Sequence, residues 1–176
     1  MKEIVTDALV LKVSTSGENN KSVIFLTSEL GRLRARAVGA NKILSKFSPH
    51  LEVGNFVELR LAGNSAWTIT DVLTIQPSLL RSSKEKLEQI NSAFRLLDFL
   101  STPASDLDLW KLVCNTKIEN FSPKVFLDFF GYSQEHSACF ICGARSPEYF
   151  YFPDHSFFCV THAVEISTEN KIRCNI

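Results

Sequence analysis

No apolar run in the 176-residue chain approaches the roughly 18 residues that a membrane-crossing helix needs, so a helical membrane span is excluded. No charged-then-apolar leader opens the chain either, and a cytoplasmic location is expected. Neither sign of charge is in excess. With 19 basic against 19 acidic residues, attraction to a polyanion must come from local patterning, not from the total. The phosphate-cradling loop G-x-x-x-x-G-K-[ST], the metalloprotease helix H-E-x-x-H and the nucleophile elbow G-x-S-x-G are all missing. His162-Ala-Val-Glu165 has neither the order nor the spacing of a zinc deaminase, and Asp106 and Asp108 read as helix-start charges. A protein that is not an enzyme is expected. What the chain does have is 45% hydrophobic side chains, enough to bury a core in one large or two small domains.

Five cysteines without an export signal fit thiolate ligands better than disulfides. Cys139-Phe-Ile-Cys142 and Cys159-Val-Thr-His162 are two ligand pairs of matched i, i+3 spacing, with sixteen residues between them. Such knuckles can bring three thiolates and one imidazole, Cys139, Cys142, Cys159 and His162, around a single tetrahedral Zn(2+). Gly143 follows the first knuckle, where a tight turn calls for positive φ. Between the knuckles, aromatic stretches at 149–152 and 157–158 flank Pro153 to Ser156 and read as a hairpin. A zinc finger over 137–164 would have little core of its own, and structural zinc contributes on the order of 10–16 kcal/mol in small finger peptides. A closed four-ligand site leaves no position for substrate, which points to scaffold rather than chemistry. The competing reading is a Cys139–Cys142 redox pair or incidental cysteines. His155, at the hairpin tip, and His136, in a polar lead-in, read as surface histidines, while Cys114 and Cys174 read as buried or incidental thiols.

Ahead of that module, residues 1–78 carry period-two patterning, with strands expected at 8–13, 21–28, 31–39, 53–62 and 66–75. Val53, Asn55, Val57, Leu59 and Leu61 share one face of the fourth strand, and Phe56, Glu58 and Arg60 share the other. A longer connection over 40–52 has room for a helical turn. Five short strands with one long connection fit an OB-fold barrel, with an SH3-like barrel or an open meander left open. Trp67 is expected to be buried in it.

From Ser82 the period becomes helical, and 82–176 is expected to be a helical domain that includes the finger. Ser82-Ser-Lys-Glu85 has capping-box spacing, followed by Leu87, Ile90, Phe94 and Leu97 on one face. Ser105-Asp-Leu-Asp108 repeats the start signal, and Ser122-Pro123 with Gly131 brackets a third helix. The fold class expected is therefore α+β.

The third strand alternates Arg32, Arg34 and Arg36 with Leu33, Ala35 and Ala37, which puts three guanidinium groups on one face. Lys42 and Lys46 continue the set, and residues 31–51 hold these five basic residues and no acidic one. One reading is a phosphate-binding track for single-stranded nucleic acid. The other is a solvated face neutralised across the sheet by carboxylates such as Glu52 or Glu58.

Ala8-Leu-Val-Leu11, Gly17-Glu18 and Thr27-Ser-Glu-Leu-Gly-Arg-Leu33 running into Ala37-Val-Gly-Ala40 resemble the opening of the bacterial RecO recombination mediators. Leu127-Asp-Phe-Phe-Gly-Tyr132 ahead of Cys139-Phe-Ile-Cys-Gly143 is similar to that family's approach to its zinc finger. The resemblance implies an OB-fold followed by a helical domain with an embedded finger. It also implies binding of single- and double-stranded DNA, strand annealing, contact with the tail of single-stranded DNA-binding protein, and work with RecR to load RecA, without NTPase activity. Carried onto this chain, Arg32, Arg34, Arg36, Lys42 and Lys46 would face DNA. The alternative is a zinc-containing protein-interaction module with incidental nucleic-acid contact.

Overall fold

The structure, a computed structural model, describes residues 2–64, 66–81 and 86–174. Five strands, β1 (Lys2–Thr15), β2 (Lys21–Thr27), β3 (Gly31–Ala37), β4 (Phe56–Gly63) and β5 (Trp67–Gln76), pair in the order β1-β2-β3-β5-β4 and close into a barrel. The elements that follow are α1 (Leu87–Leu100), α2 (Leu107–Asn115), α3 (Pro123–Phe129), β6 (Tyr149–Tyr151), β7 (Ser156–Phe158), α4 (Val160–Ala163) and β8 (Lys171–Arg173). No described helix is long and apolar enough to cross a membrane. The chain forms two compact units, one holding β1–β5 with Ser101–Asn115 and therefore α2, the other holding α1, α3, α4 and β6–β8.

In the barrel unit, β1 is longer than the alternation at 8–13 implies. Its first half pairs with β4, from Lys2↔Gly63 to Leu9↔Phe56, and its second half pairs with β2, from Ala8↔Thr27 to Thr15↔Lys21. The early half carries Lys2, Glu3 and Asp7, so its polarity hides a strand that backbone pairing enforces. A bulge between Val10 and Lys12 resets the alternation, which keeps Val10 and Val13 on the core side and turns Lys12 out. Ala8, Val10, Val23, Phe25, Leu33, Ala35, Ala37, Val57, Leu59, Leu61, Ile69 and Val72 fill the interior. Each large side chain sealed there stabilises the fold by about 1.5–3 kcal/mol. Trp67 and Phe47 pack against this core but stay partly exposed.

The 40–52 connection is a run of turns in which His50 and Leu51 N–H groups both donate to the Phe47 carbonyl, at 3.0 and 3.1 Å. Buried Asn55 holds it down, donating Nδ2 to the Pro49 and His50 carbonyls at 3.3 and 2.9 Å.

The turn into β3 is fixed by Thr27, whose Oγ1 accepts the Leu30 N–H at 3.0 Å and donates to the Gly31 carbonyl at 2.9 Å. Gly31 lies at φ +63°, and a Cβ there would fall 2.0 Å from the Ala104 carbonyl oxygen and 2.5 Å from that of Thr102. The same approach lets the Arg32 N–H donate to the Thr102 carbonyl at 2.8 Å. In α2 the start signal is Asp106, whose Oδ1 accepts the Leu109 N–H at 2.9 Å, while Ser105 Oγ donates to the Ser28 carbonyl.

In the second unit, α1 buries Ile90, Phe94 and Leu97 as its spacing requires, with Ala93 and Leu96 beside them, while Leu87 at the helix start is exposed. The capping box at 82–85 lies outside the described residues. Phenylalanines build the core: Phe94 meets Phe121 edge-on at 5.5 Å, and Phe121 meets Phe126 at 5.0 Å. Pro123 opens α3. Its end is closed by Tyr132 N–H donating to the Leu127 carbonyl at 2.8 Å and Gly131 N–H to that of Asp128 at 3.1 Å, a glycine-dependent stop with Gly131 at φ +83°. β6 pairs on one side with β7, completing the hairpin, and on the other with β8, a strand the sequence pattern did not signal. Arg95 ties α1 to the turn before β8, donating Nη2 to the Thr168 and Glu169 carbonyls at 2.8 and 2.7 Å.

The close approach at Gly31 gives a direct expectation. Gly31→Ala should destabilise the protein by about 2–4 kcal/mol, read as a lowered midpoint in urea unfolding. An unchanged midpoint would contradict the packing of 102–104 on β3.

Candidate metal centre and basic surface

The first knuckle is a tight loop between Ala138 and Arg145, which form an isolated bridge. The Cys139 N–H donates to the Ala144 carbonyl at 2.9 Å and the Gly143 N–H to the Cys139 carbonyl at 2.8 Å. Gly143 sits at φ +69° with open space around it, so backbone conformation and not crowding calls for glycine. The Phe140 N–H reaches the Phe157 carbonyl at 2.8 Å and pins the knuckle to β7. The second knuckle is a single helical turn. Cys159 caps α4, and Ala163 N–H donates to its carbonyl at 3.0 Å, which brings His162 round to the same side.

The four donor atoms converge to within 4.8 Å of one another. Cys139 Sγ and Cys159 Sγ lie 3.5 and 3.3 Å from His162 Nδ1, and Cys142 Sγ lies 3.9 Å from Cys159 Sγ. A tetrahedral ion bound at ordinary metal–sulfur and metal–nitrogen lengths has donor–donor edges of roughly 3.5–3.8 Å. The set fits one ion. The sulfurs are too far apart for a disulfide, and all five cysteines are free.

The electrostatics favour a thiolate at the buried position. Desolvation opposes ionisation of Cys139, but hydrogen bonds from the Cys159, Cys142 and Ile141 backbone and from His162 outweigh it and lower the thiol to about 5. At Cys142 the Ala144 backbone favours the thiolate, yet the neighbouring Cys139 and Cys159 sulfurs raise it on balance. Crowded sulfurs that resist sharing negative charge are what a cation relieves. Neither remaining cysteine joins the cluster: Cys174 is pushed up to about 12 by burial, and Cys114 is raised by desolvation and then by Asp7. His155 is exposed at the hairpin tip as expected, but is held by Tyr132 Oη, 2.5 Å from its Nδ1, and by the Phe150 ring stacked at 6.2 Å. His136 is exposed outside the cluster.

On the barrel, β3 alternates buried Leu33, Ala35 and Ala37 with half-buried Arg32 and exposed Arg34 and Arg36. Opposite the three arginines on β2 stand Leu26, Ile24 and Ser22, and Thr68 on β5 pairs with Arg36. No carboxylate lies directly across from them. Glu58 sits on β4, separated from β3 by β5, and faces Asp7 and Leu73. Lys42 and Lys46 are exposed in the connection that leaves β3.

Residues 1–78 match the family model described as Recombination protein O N terminal. The chain is similar to the DNA repair protein RecO of Dehalococcoides mccartyi, 30% identical over 151 residues that cover 78% of this chain and 60% of that protein. It is similar to RecO of Chloroherpeton thalassium at 32% identity over 137 residues, covering 73% and 52%, and to RecO of a Nocardioides species at 39% over 72 residues, covering 40% and 30%. These matches span from 30% to 60% of the relatives' own length.

For the cluster, elemental analysis of the purified protein should find one bound metal ion per chain. Cys142→Ser should weaken metal affinity by more than about 100-fold and raise protease sensitivity around 137–164. Full retention of the ion in that variant would contradict a four-donor site.

Proposed function

The chain belongs to the RecO family of DNA repair proteins, and from that membership we propose that it is a non-enzymatic recombination mediator that binds DNA along the outer face of β3. The observation that carries the reading is the exposure of Arg34 and Arg36 on a strand with no acidic residue opposite them. Among the described residues neither takes part in an ion pair. Their guanidinium groups, with Arg32, Lys42 and Lys46, offer charge to phosphates spaced along a strand. Binding of this kind is dominated by release of counterions from the polyanion.

Contacts to phosphate leave base edges free, so a second strand whose repulsion has been lowered can pair with the first. Annealing would follow from that neutralisation with no bond made or broken, and RecA loading on single-stranded DNA belongs to the proposal through the family resemblance. The strand order with a parallel β3–β5 closure supports reading the barrel as an OB-fold. The Cys139, Cys142, Cys159 and His162 donor set supports Zn(2+) as the ion, in a closed structural site that holds the two knuckles together. A cytoplasmic place, and RecR and single-stranded DNA-binding protein as partners, belong to the same proposal through the family resemblance.

A second reading has its own observation. Phe140, Ile141 and Val164 on and beside the knuckles are 74%, 61% and 75% exposed, an apolar surface suited to a protein partner with DNA contact incidental.

Titration of a fluorescent single-stranded oligonucleotide at several salt concentrations separates the two. Arg34→Ala with Arg36→Ala should weaken binding and lower the salt slope by about 1.4, the share of two phosphate contacts. Unchanged affinity and slope would favour the protein-interaction reading.

A further inference from the structure

The connection that leaves β3 carries two large aliphatic side chains with no use inside the fold. Ile43 and Leu44 are 102% and 93% exposed. They occupy the two central positions of a turn closed by Ser45 N–H donating to the Lys42 carbonyl at 2.9 Å. Gly, Asn, Asp or Pro ordinarily serve such positions, so turn chemistry does not explain an Ile-Leu pair there.

The turn is presented by an anchored base. The Asn41 N–H donates to the Asn19 carbonyl at 3.0 Å and the Gly39 N–H to Asn20 Oδ1 at 3.0 Å, fastening the outgoing leg to the β1–β2 turn. On the returning leg, Phe47 packs on the barrel core and Ser48 Oγ accepts Lys21 Nζ at 2.8 Å. Both flanks of the apex are cationic, Lys42 on one side and Lys46 on the other, and no carboxylate occurs between residues 31 and 51. Glu18 meets the connection through its backbone carbonyl, which accepts Asn41 Nδ2 at 3.5 Å.

An aliphatic apex bracketed by ammonium groups matches a polyanion that also offers flat apolar faces. Phosphates suit the lysines, and the gap between stacked bases suits the aliphatic side chains, as it does for the apolar wedges of DNA-bending proteins. We propose that Ile43 and Leu44 form a wedge that enters between adjacent bases of the strand held by Arg34, Arg36, Lys42 and Lys46. The proposal rests on the DNA-binding reading above and adds to it a contact with bases beyond the phosphate contacts proposed for the arginines. It also gives that face a way to unstack a strand as it binds.

The test uses the full chain and a single-stranded oligonucleotide carrying one 2-aminopurine, whose fluorescence rises when its neighbours no longer stack on it. Wild type should raise the fluorescence on binding. Ile43→Ser with Leu44→Ser should abolish the rise and weaken binding about tenfold, the loss of partial burial of two aliphatic side chains, with the salt slope unchanged. Both side chains project into solvent, so the double variant should melt at the wild-type temperature. Arg34→Ala with Arg36→Ala should keep the fluorescence rise at saturation while its salt slope falls.

A double serine variant with wild-type affinity and fluorescence would overturn the wedge and leave the DNA-binding reading standing. Wild-type binding without any fluorescence rise would do the same. Wild type that binds no oligonucleotide at any salt would remove the DNA-binding reading and the wedge together.

Discussion

The barrel closes at one short seam. β3 and β5 run parallel there through two pairs, Ala35↔Trp67 and Arg36↔Thr68, while every other junction is a longer antiparallel ladder. A ring of strands has no free edge, and closure decides which side of each strand faces in. At the seam it drives Ala35 and Ala37 into the core and leaves Arg34 and Arg36 outside. The alternation that packs the interior thus builds the cationic exterior, and neither can be shifted by one residue without reversing both. Acidic residues sit elsewhere on the ring, with Asp7 facing Glu58 between β1 and β4, and Asp71 facing Arg60 between β4 and β5. A chain with no net charge can in this way still present a positive face.

The second unit solves a different problem. Its knuckle end has only a small buried cluster, Cys139, Phe158 and Ala163, with Tyr149, Tyr151, Cys159 and Ile166 packed around it. Two of those residues are donors in the Cys/His set, so coordination and packing act on the same side chains. The three-stranded sheet β7-β6-β8 continues from this cluster into a phenylalanine network, where Phe150 meets Phe157 at 5.2 Å and Phe152 at 6.1 Å. An ion that orders the knuckles would therefore also order the sheet on which they stand.

Much of this was legible in the sequence because the signals were periodic or chemically rare. Strict alternation around Arg32 to Ala37, the matched Cys139/Cys142 and Cys159/His162 spacings, and the Pro123 and Gly131 bracket each point to one local structure. Other features were hidden for physical reasons. The first half of β1 is polar and takes its conformation from pairing with β4. β8 is three residues long and is defined by its partner β6. Asp106, directly ahead of Leu107, caps α2, while the Ser105 hydroxyl donates to the Ser28 carbonyl. The exposure of Ile43 and Leu44 was invisible to a reading that counts apolar residues as core, since only the anchored turn shows them facing outward.

The proposed function stands on guanidinium groups outside β3 meeting nucleic-acid phosphate. Arginine Nε–H correlation spectra recorded while single-stranded oligonucleotide is added at low salt test it directly. The Arg34 and Arg36 signals should shift progressively while that of Arg173, paired with Glu148 in the other unit, stays in place. Shifts confined to Arg173 or other arginines, with Arg34 and Arg36 unmoved at saturation, would contradict it.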